Sequence, residues 1–427
     1  MRAVQRWLRG TFASLQVRAY RTYWSGLLFT FIALWFSSVA RGYLAFDLTK
    51  SSAALGGVFI AFGTSQLLLT LVGGVLADRL PRKRIVLAGV VFFAVEHLAI
   101  GTLIASGAIR YWMLVVTSAF EGGVVGVYIP ARTALVGDLV MGRGLGNAVA
   151  LQQVSFNTAR VGGPAVAGAL IATPIIGPGG TYLLASSLFT VAALVISRLP
   201  AVPPQTRMGR ASPLREVAGG VAYVRRRPAL LVLVATSYVV SSTAFPYVAF
   251  VPAVVDEVFE RGAVALGVMT SAIAVGALAA ALGAASIIDG PRAWVAHAVA
   301  SMGFALALIV FAVAPSFELA MVVGAGLGAF EIGFVSLNQG LSMRFSEPQY
   351  YGRVQALLLV GFGLFGIAAL PIGILADAVG IRVIMFGQGA TCAVLVGGLL
   401  LWARATHAAD DAVTPEAPTD AGIAASS

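Results

Sequence analysis

Long apolar stretches dominate the chain, and short breaks rich in charged residues, proline or glycine separate them. About twelve stretches can be distinguished, each of about 17–26 residues, which is the length that a helix needs to cross the ~30 Å core of a bilayer. The alternating segments of about ten residues that are typical of membrane β-barrels do not occur. We therefore predict an all-α integral membrane protein with twelve transmembrane helices. The predicted spans are 22–46, 53–77, 85–106, 112–135, 147–172, 181–198, 229–252, 263–288, 294–313, 317–340, 353–377 and 382–402.

Composition supports a membrane protein and excludes several other classes. Of the 427 residues, 59% are hydrophobic and 11% are charged, whereas soluble proteins average about 25% charged residues. This balance argues against a soluble enzyme and a nucleic-acid-binding domain, and the single cysteine excludes a disulfide scaffold. The three histidines are scattered and no phosphate-binding loop is present, so we expect no metal, no cofactor and no ATP-driven activity.

Basic residues predict the orientation of the helices. Most of the 28 Lys and Arg residues fall in alternate breaks, starting with the N-terminal segment. Cytoplasmic loops are enriched in Lys and Arg, so we expect both termini in the cytoplasm and the chain in the inner (cytoplasmic) membrane of a prokaryote. The N-terminus shows no pattern of a cleaved signal peptide.

The longest internal break divides the predicted helices into two sets of six. It contains four prolines and the run Arg225-Arg226-Arg227-Pro228, and residues 214–227 are predicted to form a short amphipathic helix on the membrane surface. The predicted organisation is a cytoplasmic segment (1–21), a six-helix bundle (22–198), a central cytoplasmic loop (199–228), a second six-helix bundle (229–402) and a disordered cytoplasmic tail (403–427).

The two predicted bundles resemble each other in the order of their motifs. A glycine precedes the fifth and the eleventh span, and a proline follows about 18 or 19 residues later, at Gly146 to Pro164 and at Gly352 to Pro371. Two similar six-helix units with a cleft between them suit transport by alternating access.

The most specific motif follows the second span and runs from Gly73 to Arg84. Its small residues allow close helix packing, and Asp78 can face the positive N-terminal end of a neighbouring helix. The basic residues can bind carboxylates or anionic lipid headgroups. The positive-inside rule alone explains the basic cluster but not the Gly-x-x-x-Asp-Arg spacing.

This motif resembles the loop between helices two and three of the major facilitator superfamily. The residues that match the superfamily pattern are Gly74, Asp78, Arg79, Arg82 and Arg84, while Pro81 replaces the usual second glycine. The resemblance implies two pseudo-symmetric six-helix bundles and a cytoplasmic gate that closes when the transporter faces outward.

Further segments resemble the drug-efflux branch that includes macrolide and enterobactin exporters. They are Ala40–Thr49, Pro130–Leu135, Leu145–Ala148, Gly163–Gly168 and Gly220–Arg226. The resemblance implies export of a small amphipathic or hydrophobic compound in exchange for protons, as in drug-resistance antiporters, with a monomer as the default state. The superfamily's usual arginine in span four is absent, since Thr117 to Glu121 contains none.

Charged residues within the predicted spans are candidates for the transport site, because they are costly in a bilayer. Glu121 lies in span four, Glu331 in span ten and Arg160 in span five. Both carboxylates are candidates for proton or cation binding, with structural ion pairing as the alternative. Glu121 is the expected partner of Arg160.

Polar and kink-forming residues of span five add to the candidate site. Gln153 and Asn157 lie one turn apart and are the favoured polar substrate contacts. Pro164 removes a backbone hydrogen bond, so it forms, with Gly163, a predicted hinge; simple helix packing is the alternative.

Other charges have weaker support. A structural role is expected for Glu96 and His97. Four further charges form either an extracellular gate between the halves or solvated helix ends: Arg41, Asp47 and residues 256–257 (Asp256 and Glu257).

Two other functions remain open on this sequence. One is an importer or lipid flippase of the same fold, and the other is a membrane sensor or assembly protein that transports nothing. The expected partners are a small molecule, protons and membrane lipids, with no nucleic acid.

Overall fold

The computed structural model describes residues 13–140, 144–200, 213–288 and 290–406. These residues form fourteen α-helices, and no strand occurs among them. In chain order the helices are α1 (Arg18–Thr49), α2 (Ser52–Arg79), α3 (Arg82–Ala105), α4 (Tyr111–Val140), α5 (Leu145–Ala172), α6 (Gly177–Ser197), α7 (Pro213–Arg225), α8 (Pro228–Thr243), α9 (Tyr247–Ala253), α10 (Ala263–Ile287), α11 (Ala293–Ala312), α12 (Phe317–Arg344), α13 (Tyr351–Val379) and α14 (Ile381–Ala405).

These helices provide the twelve predicted spans. Among the described residues, eleven stretches are long and apolar enough to cross a membrane, and one of them, Pro228–Val258, combines α8 and α9. The twelfth span is α5, which has 28 residues but carries several polar side chains. The short helix α7 lies in the central break, close to the predicted 214–227. Of the predicted terminal segments, residues 1–12 and 407–427 lie outside the described part of the chain, as does 201–212 of the central loop.

The seventh span is broken where the sequence contains Pro246. Helix α8 ends at Thr243 and α9 begins at Tyr247, since proline cannot supply the backbone N–H that a continuous helix needs. A five-residue π-turn, Val254–Val258, then follows α9. Tyr247, the first residue of α9, is fully buried.

Two helix pairs join the first half (α1–α6) to the second half (α8–α14). Antiparallel α2 and α13 form one seam, and α5 and α10 form the other. Glycines allow the backbones to approach closely: a Cβ at Gly63 would lie 3.1 Å from the Cα of Gly366, and a Cβ at Gly168 would lie 3.0 Å from the Cα of Gly267.

Both seams are concentrated at one end of the bundle. We call the helix ends that carry Arg82, Arg344 and Arg353 the basic face, and the ends that carry Lys50 and Asp377 the opposite face. On α2 and α13 the close approaches run from Ser52 beside Gly373 to Leu67 beside Gly363.

Nearer the basic face, glycines of the same helices contact their own half. Gly73 of α2 approaches Gly126 of α4, and Gly361 of α13 approaches Tyr238 of α8. The halves are therefore joined towards the opposite face.

Candidate functional site

A buried ion pair crosses between the two halves at the middle of the bundle. The Arg160 Nη2 atom of α5 lies 3.3 Å from the Glu331 Oε1 atom of α12. The Tyr247 hydroxyl donates a 2.6 Å hydrogen bond to the other carboxylate oxygen of Glu331. The Arg160 side chain is 16% exposed and that of Glu331 is 6% exposed. Glu331 therefore has partners on both of its oxygens, and one partner belongs to the other half.

A second buried ion pair lies within the first half. Arg41 of α1 contacts Glu121 of α4, with their side chains 10% and 5% exposed. The expected pairing of Glu121 with Arg160 is therefore wrong, since Arg160 binds Glu331 instead. The reason is the orientation of each helix. The face of α5 that carries Arg160 points towards the second half, where α5 packs against α10, whereas the face of α1 that carries Arg41 packs against α4.

Glu96 and His97 lie behind this pair, in the core of the first half. His97 contacts Glu96, and its Nδ1 atom lies 2.8 Å from the carbonyl oxygen of Phe93. The His97 ring packs between Tyr182 and Phe189, with ring centroids 5.4 and 4.9 Å away. Packing among aromatic rings is consistent with the structural role expected for this pair.

Two cavities that share part of their walls lie beside these ion pairs. A cavity of about 240 Å³ is lined by Arg41, Glu121 and the aromatic side chains of Trp35, Phe59 and Phe156. A neighbouring cavity of about 100 Å³ shares Trp35 and Phe59 with it. The second cavity is also lined by the three central residues Arg160, Tyr247 and Glu331. Each buried pair thus lines one of two neighbouring cavities, and Trp35 and Phe59 belong to the walls of both.

A third cavity, of about 180 Å³, lies in the second half and is more polar. Its lining includes Ser237, Ser241, Asn338, Gln339 and Gln355. Gln339 is exposed and lies near the end of α12 that belongs to the basic face. A larger apolar groove of about 920 Å³, lined by exposed side chains such as Leu68 and Phe120, lies on the outer surface of the first half. The groove contacts neither ion pair.

Helix α5 presents one polar face to the bundle centre. Gln153, Asn157 and Arg160 are spaced at i, i+4 and i+7, so they share that face. Gln153 is exposed, and Asn157 and Arg160 are half-buried. The predicted polar contacts therefore lie on the same helix face as the central arginine.

The predicted hinge lies in the seam between α5 and α10. Helix α5 continues through Pro164, and the Ala165 N–H donates a 3.1 Å hydrogen bond to the Ser271 hydroxyl of α10. A Cβ at Gly163 would lie 2.8 Å from the Cβ of Trp35. Gly163 and Pro164 thus pack against both α1 and the second half; whether they act as a hinge stays a prediction.

The gate motif lies at the basic face, where α2 ends at Arg79 and α3 begins at Arg82. Arg82 forms a 2.6 Å ion pair with Asp138 of α4, and both side chains are at most 10% exposed. Arg79 and Arg84 are exposed. The side-chain surroundings of Gly74 and Asp78 fall outside what the structure describes.

Charges at the opposite face only partly follow the expected gate. Lys50 lies 3.2 Å from Asp47 and 3.6 Å from Asp256 of the second half, whereas Arg41 is buried beside Glu121. Partial burial lowers the pKa of Lys50, but the hydrogen bond to Asp47 and the charge of Asp256 outweigh it and raise that pKa. Exposed pairs of this kind contribute little to stability.

Sequence reasoning missed two contacts of the site, the hydrogen bond of Tyr247 to Glu331 and the pairing of Arg41 with Glu121. Pro246, directly before Tyr247, was the available signal, because a proline inside a span marks a helix break and break points are frequent binding positions. The position of Arg41 in an apolar span was a second signal.

Comparison with known proteins agrees with this geometry. The family model described as transmembrane secretion effector, of the major facilitator type, matches residues 9–423. The chain belongs to this family. It is therefore a multi-pass membrane transporter of the major facilitator superfamily and not an enzyme.

Curated relatives of this transporter are distant. The enterobactin exporter EntS of Shigella boydii is 25% identical over 337 residues, which covers 77% of this chain and 79% of EntS. An uncharacterised transporter of the superfamily, YfiS of Bacillus subtilis, is 25% identical over 203 residues, and that match spans 46% of each chain, less than half of YfiS.

Solved transporters share the fold. The nucleoside transporter NupG superimposes with a TM-score of 0.72 at 13% identity, covering 90% of this chain and 98% of NupG. A bacterial homologue of the lysosomal transporter Spinster, described as inward-facing and unoccupied, gives a TM-score of 0.71 at 13% identity. The superposition covers 94% of this chain and 98% of the homologue. These similarities confirm the predicted fold of twelve helices in two bundles.

Proposed function

We propose that the chain is a secondary active transporter that exports a small amphipathic compound across the bacterial inner membrane in exchange for protons. The observation that carries this proposal is the Arg160–Glu331 ion pair, which joins the two halves inside a central cavity. A titratable link between two moving halves couples a charge change to a conformational change.

The proposed orientation places the basic face and both termini in the cytoplasm. The halves are joined at the opposite face, so the conformation is inward-facing in this orientation. The similarity to a Spinster homologue described as inward-facing supports this assignment. A substrate from the cytoplasm would then reach Gln153 and Gln339 first, because both are exposed on the open side.

Proton coupling is assigned to Glu331 and Glu121. Protonation of Glu331 would remove its negative charge and weaken its attraction to Arg160, which lies in the other half. Protonation of Glu121 would likewise weaken its attraction to Arg41, but both of these residues belong to the first half. We therefore assign the change between conformations to Glu331, and a supporting role in cavity charge to Glu121.

The walls of the cavity favour a substrate with a flat apolar part. Trp35, Phe59 and Phe156 supply aromatic surface beside the two ion pairs, and aromatic rings contact planar groups favourably. Serine and amide side chains of the polar cavity can hold hydrogen-bonding groups at the other end. The relative EntS is named as an enterobactin exporter, and for this chain we propose a substrate class, a compound with a flat apolar part and a hydrogen-bonding end.

The experiment uses everted membrane vesicles that contain the full chain. Lumenal acidification is followed with a pH-sensitive dye while aromatic cations, aromatic neutral compounds and aromatic anions are added in turn. Dequenching of the dye by one class in wild-type vesicles, and its loss in Glu331→Gln vesicles with equal protein content, would support proton-coupled export. Equal dequenching with both proteins would contradict the role of Glu331.

A further inference from the structure

A carboxylate of the second half caps the first turn of a helix in the first half, at the opposite face. Asp377, near the end of α13, accepts a 2.6 Å hydrogen bond from the Ser52 N–H and a 3.1 Å bond from the Ala53 N–H of α2. The Ser51 hydroxyl donates a further 2.6 Å bond to Asp377. Three donors from one half therefore converge on one carboxylate of the other half.

The interaction is favourable for two reasons. The first N–H groups of a helix have no partner within the helix, and the helix dipole places partial positive charge at that end. Gly373 permits the approach, because a Cβ there would lie 2.9 Å from the Cα of Ala53. Asp377 is exposed, as is Lys50. The contact of Asp377 with α2 differs from the 3.6 Å contact of Lys50 with Asp256 because it combines charge with three directed hydrogen bonds.

The sequence around Asp377 repeats the gate motif at the other end of the helix pair. Residues 74–78 read Gly-Val-Leu-Ala-Asp and residues 373–377 read Gly-Ile-Leu-Ala-Asp. The first segment ends α2 at the basic face and the second ends α13 at the opposite face. Because α2 and α13 are antiparallel and in contact, a two-fold rotation about an axis in the membrane plane exchanges the two segments, as in inverted repeats.

We propose that Asp377 is a positioning residue for transport: it holds the opposite face closed by capping α2, and releases α2 when that face opens. The motif at 74–84 would serve the basic face in the same way, so that each end of the α2–α13 pair has its own aspartate. This inference rests on the alternating access proposed above.

The experiment measures the opening of the opposite face directly. Spin labels are attached at Ile175→Cys in the first half and Val313→Cys in the second, two exposed positions in loops at that face. The background carries Cys392→Ala, which replaces the single cysteine. Distance distributions are recorded by pulsed electron resonance on the full-length protein in lipid nanodiscs, for wild type, Asp377→Ala and Asp377→Asn.

Asp377→Ala is expected to raise the ratio of the long-distance to the short-distance population roughly 3- to 30-fold, the range for loss of a helix-capping side chain. Asp377→Asn should give a smaller rise, because its amide oxygen still accepts a hydrogen bond. Glu318→Ala, which removes an exposed carboxylate from the same face, serves as the matched control and should change nothing.

The outcomes separate this inference from the function on which it rests. If wild type populates both distances and neither Asp377 variant shifts their ratio, or Glu318→Ala shifts it equally, Asp377 does not hold the face closed. If no long-distance population occurs in any variant, at neutral or acidic pH, alternating access itself is contradicted. An unchanged ratio combined with normal proton-coupled transport would overturn only the role of Asp377.

Discussion

Replacement of Glu331 by glutamine tests the link between the halves. Glutamine keeps the size of the side chain and an oxygen that can accept the Tyr247 hydrogen bond, but it removes the charge that attracts Arg160. Arg160 lies one turn before Pro164, and the Ala165 N–H binds Ser271 across the seam. Opening of the α5–α10 seam would therefore carry Arg160 away from Glu331.

The structure sets the size of the expected effect. Hydrogen bonds to charged groups contribute about 1.5–3 kcal/mol, and the Arg160–Glu331 pair falls in this class because both side chains are largely buried. At about 1.4 kcal/mol per tenfold change, Glu331→Gln should favour the open state roughly 10- to 150-fold. An open state populated at about 1% would then rise to roughly 10–60%.

The spin-label pair at Ile175 and Val313 measures this change in population. Glu318→Gln is the matched control, because it makes the same chemical change on the same helix at a side chain that is 68% exposed. Unchanged distance distributions in Glu331→Gln, or equal changes in the control, would refute the argument that this ion pair holds the halves together.

Three further predictions concern other parts of the bundle. Gly168→Leu should strongly reduce transport, because a side chain there would overlap the carbonyl of Ala263. Substrate flux into vesicles that contain the variant measures this loss. Asp138→Ala should lower the free energy of unfolding by about 1.5–3 kcal/mol, because it removes the 2.6 Å charged contact with Arg82, and thermal unfolding checks this. Trp35→Ala should weaken binding of aromatic substrates about tenfold while leaving non-aromatic ones unaffected, which substrate titration of the purified protein would show.

The helical spans could be predicted because the bilayer imposes a simple length rule on apolar sequence. Even so, the seventh span extends to Val258 and breaks at Pro246, where the hydrophobic pattern shows no interruption. Hydropathy reports the environment of a segment and not the hydrogen bonds of its backbone.

The candidate charges could be found in the sequence, but their pairing could not. Glu121 and Arg160 lie on neighbouring spans, and proximity in sequence suggested a bond between them. The structure pairs each with a residue much farther away along the chain, because rotation of each helix about its own axis decides which face meets which neighbour. The three bonds to Asp377 were equally hidden, since they depend on two helix ends that lie 325 residues apart.

The most direct test of the central claim uses the purified chain in proteoliposomes without ATP. The compound that gives the largest dequenching in vesicles is supplied outside at low concentration, and a proton gradient, acidic inside, is imposed. The account predicts that the compound accumulates inside above its external concentration, and that the accumulation collapses when an ionophore dissipates the gradient. Simple equilibration of the compound, the same with and without the gradient, would contradict proton-coupled export.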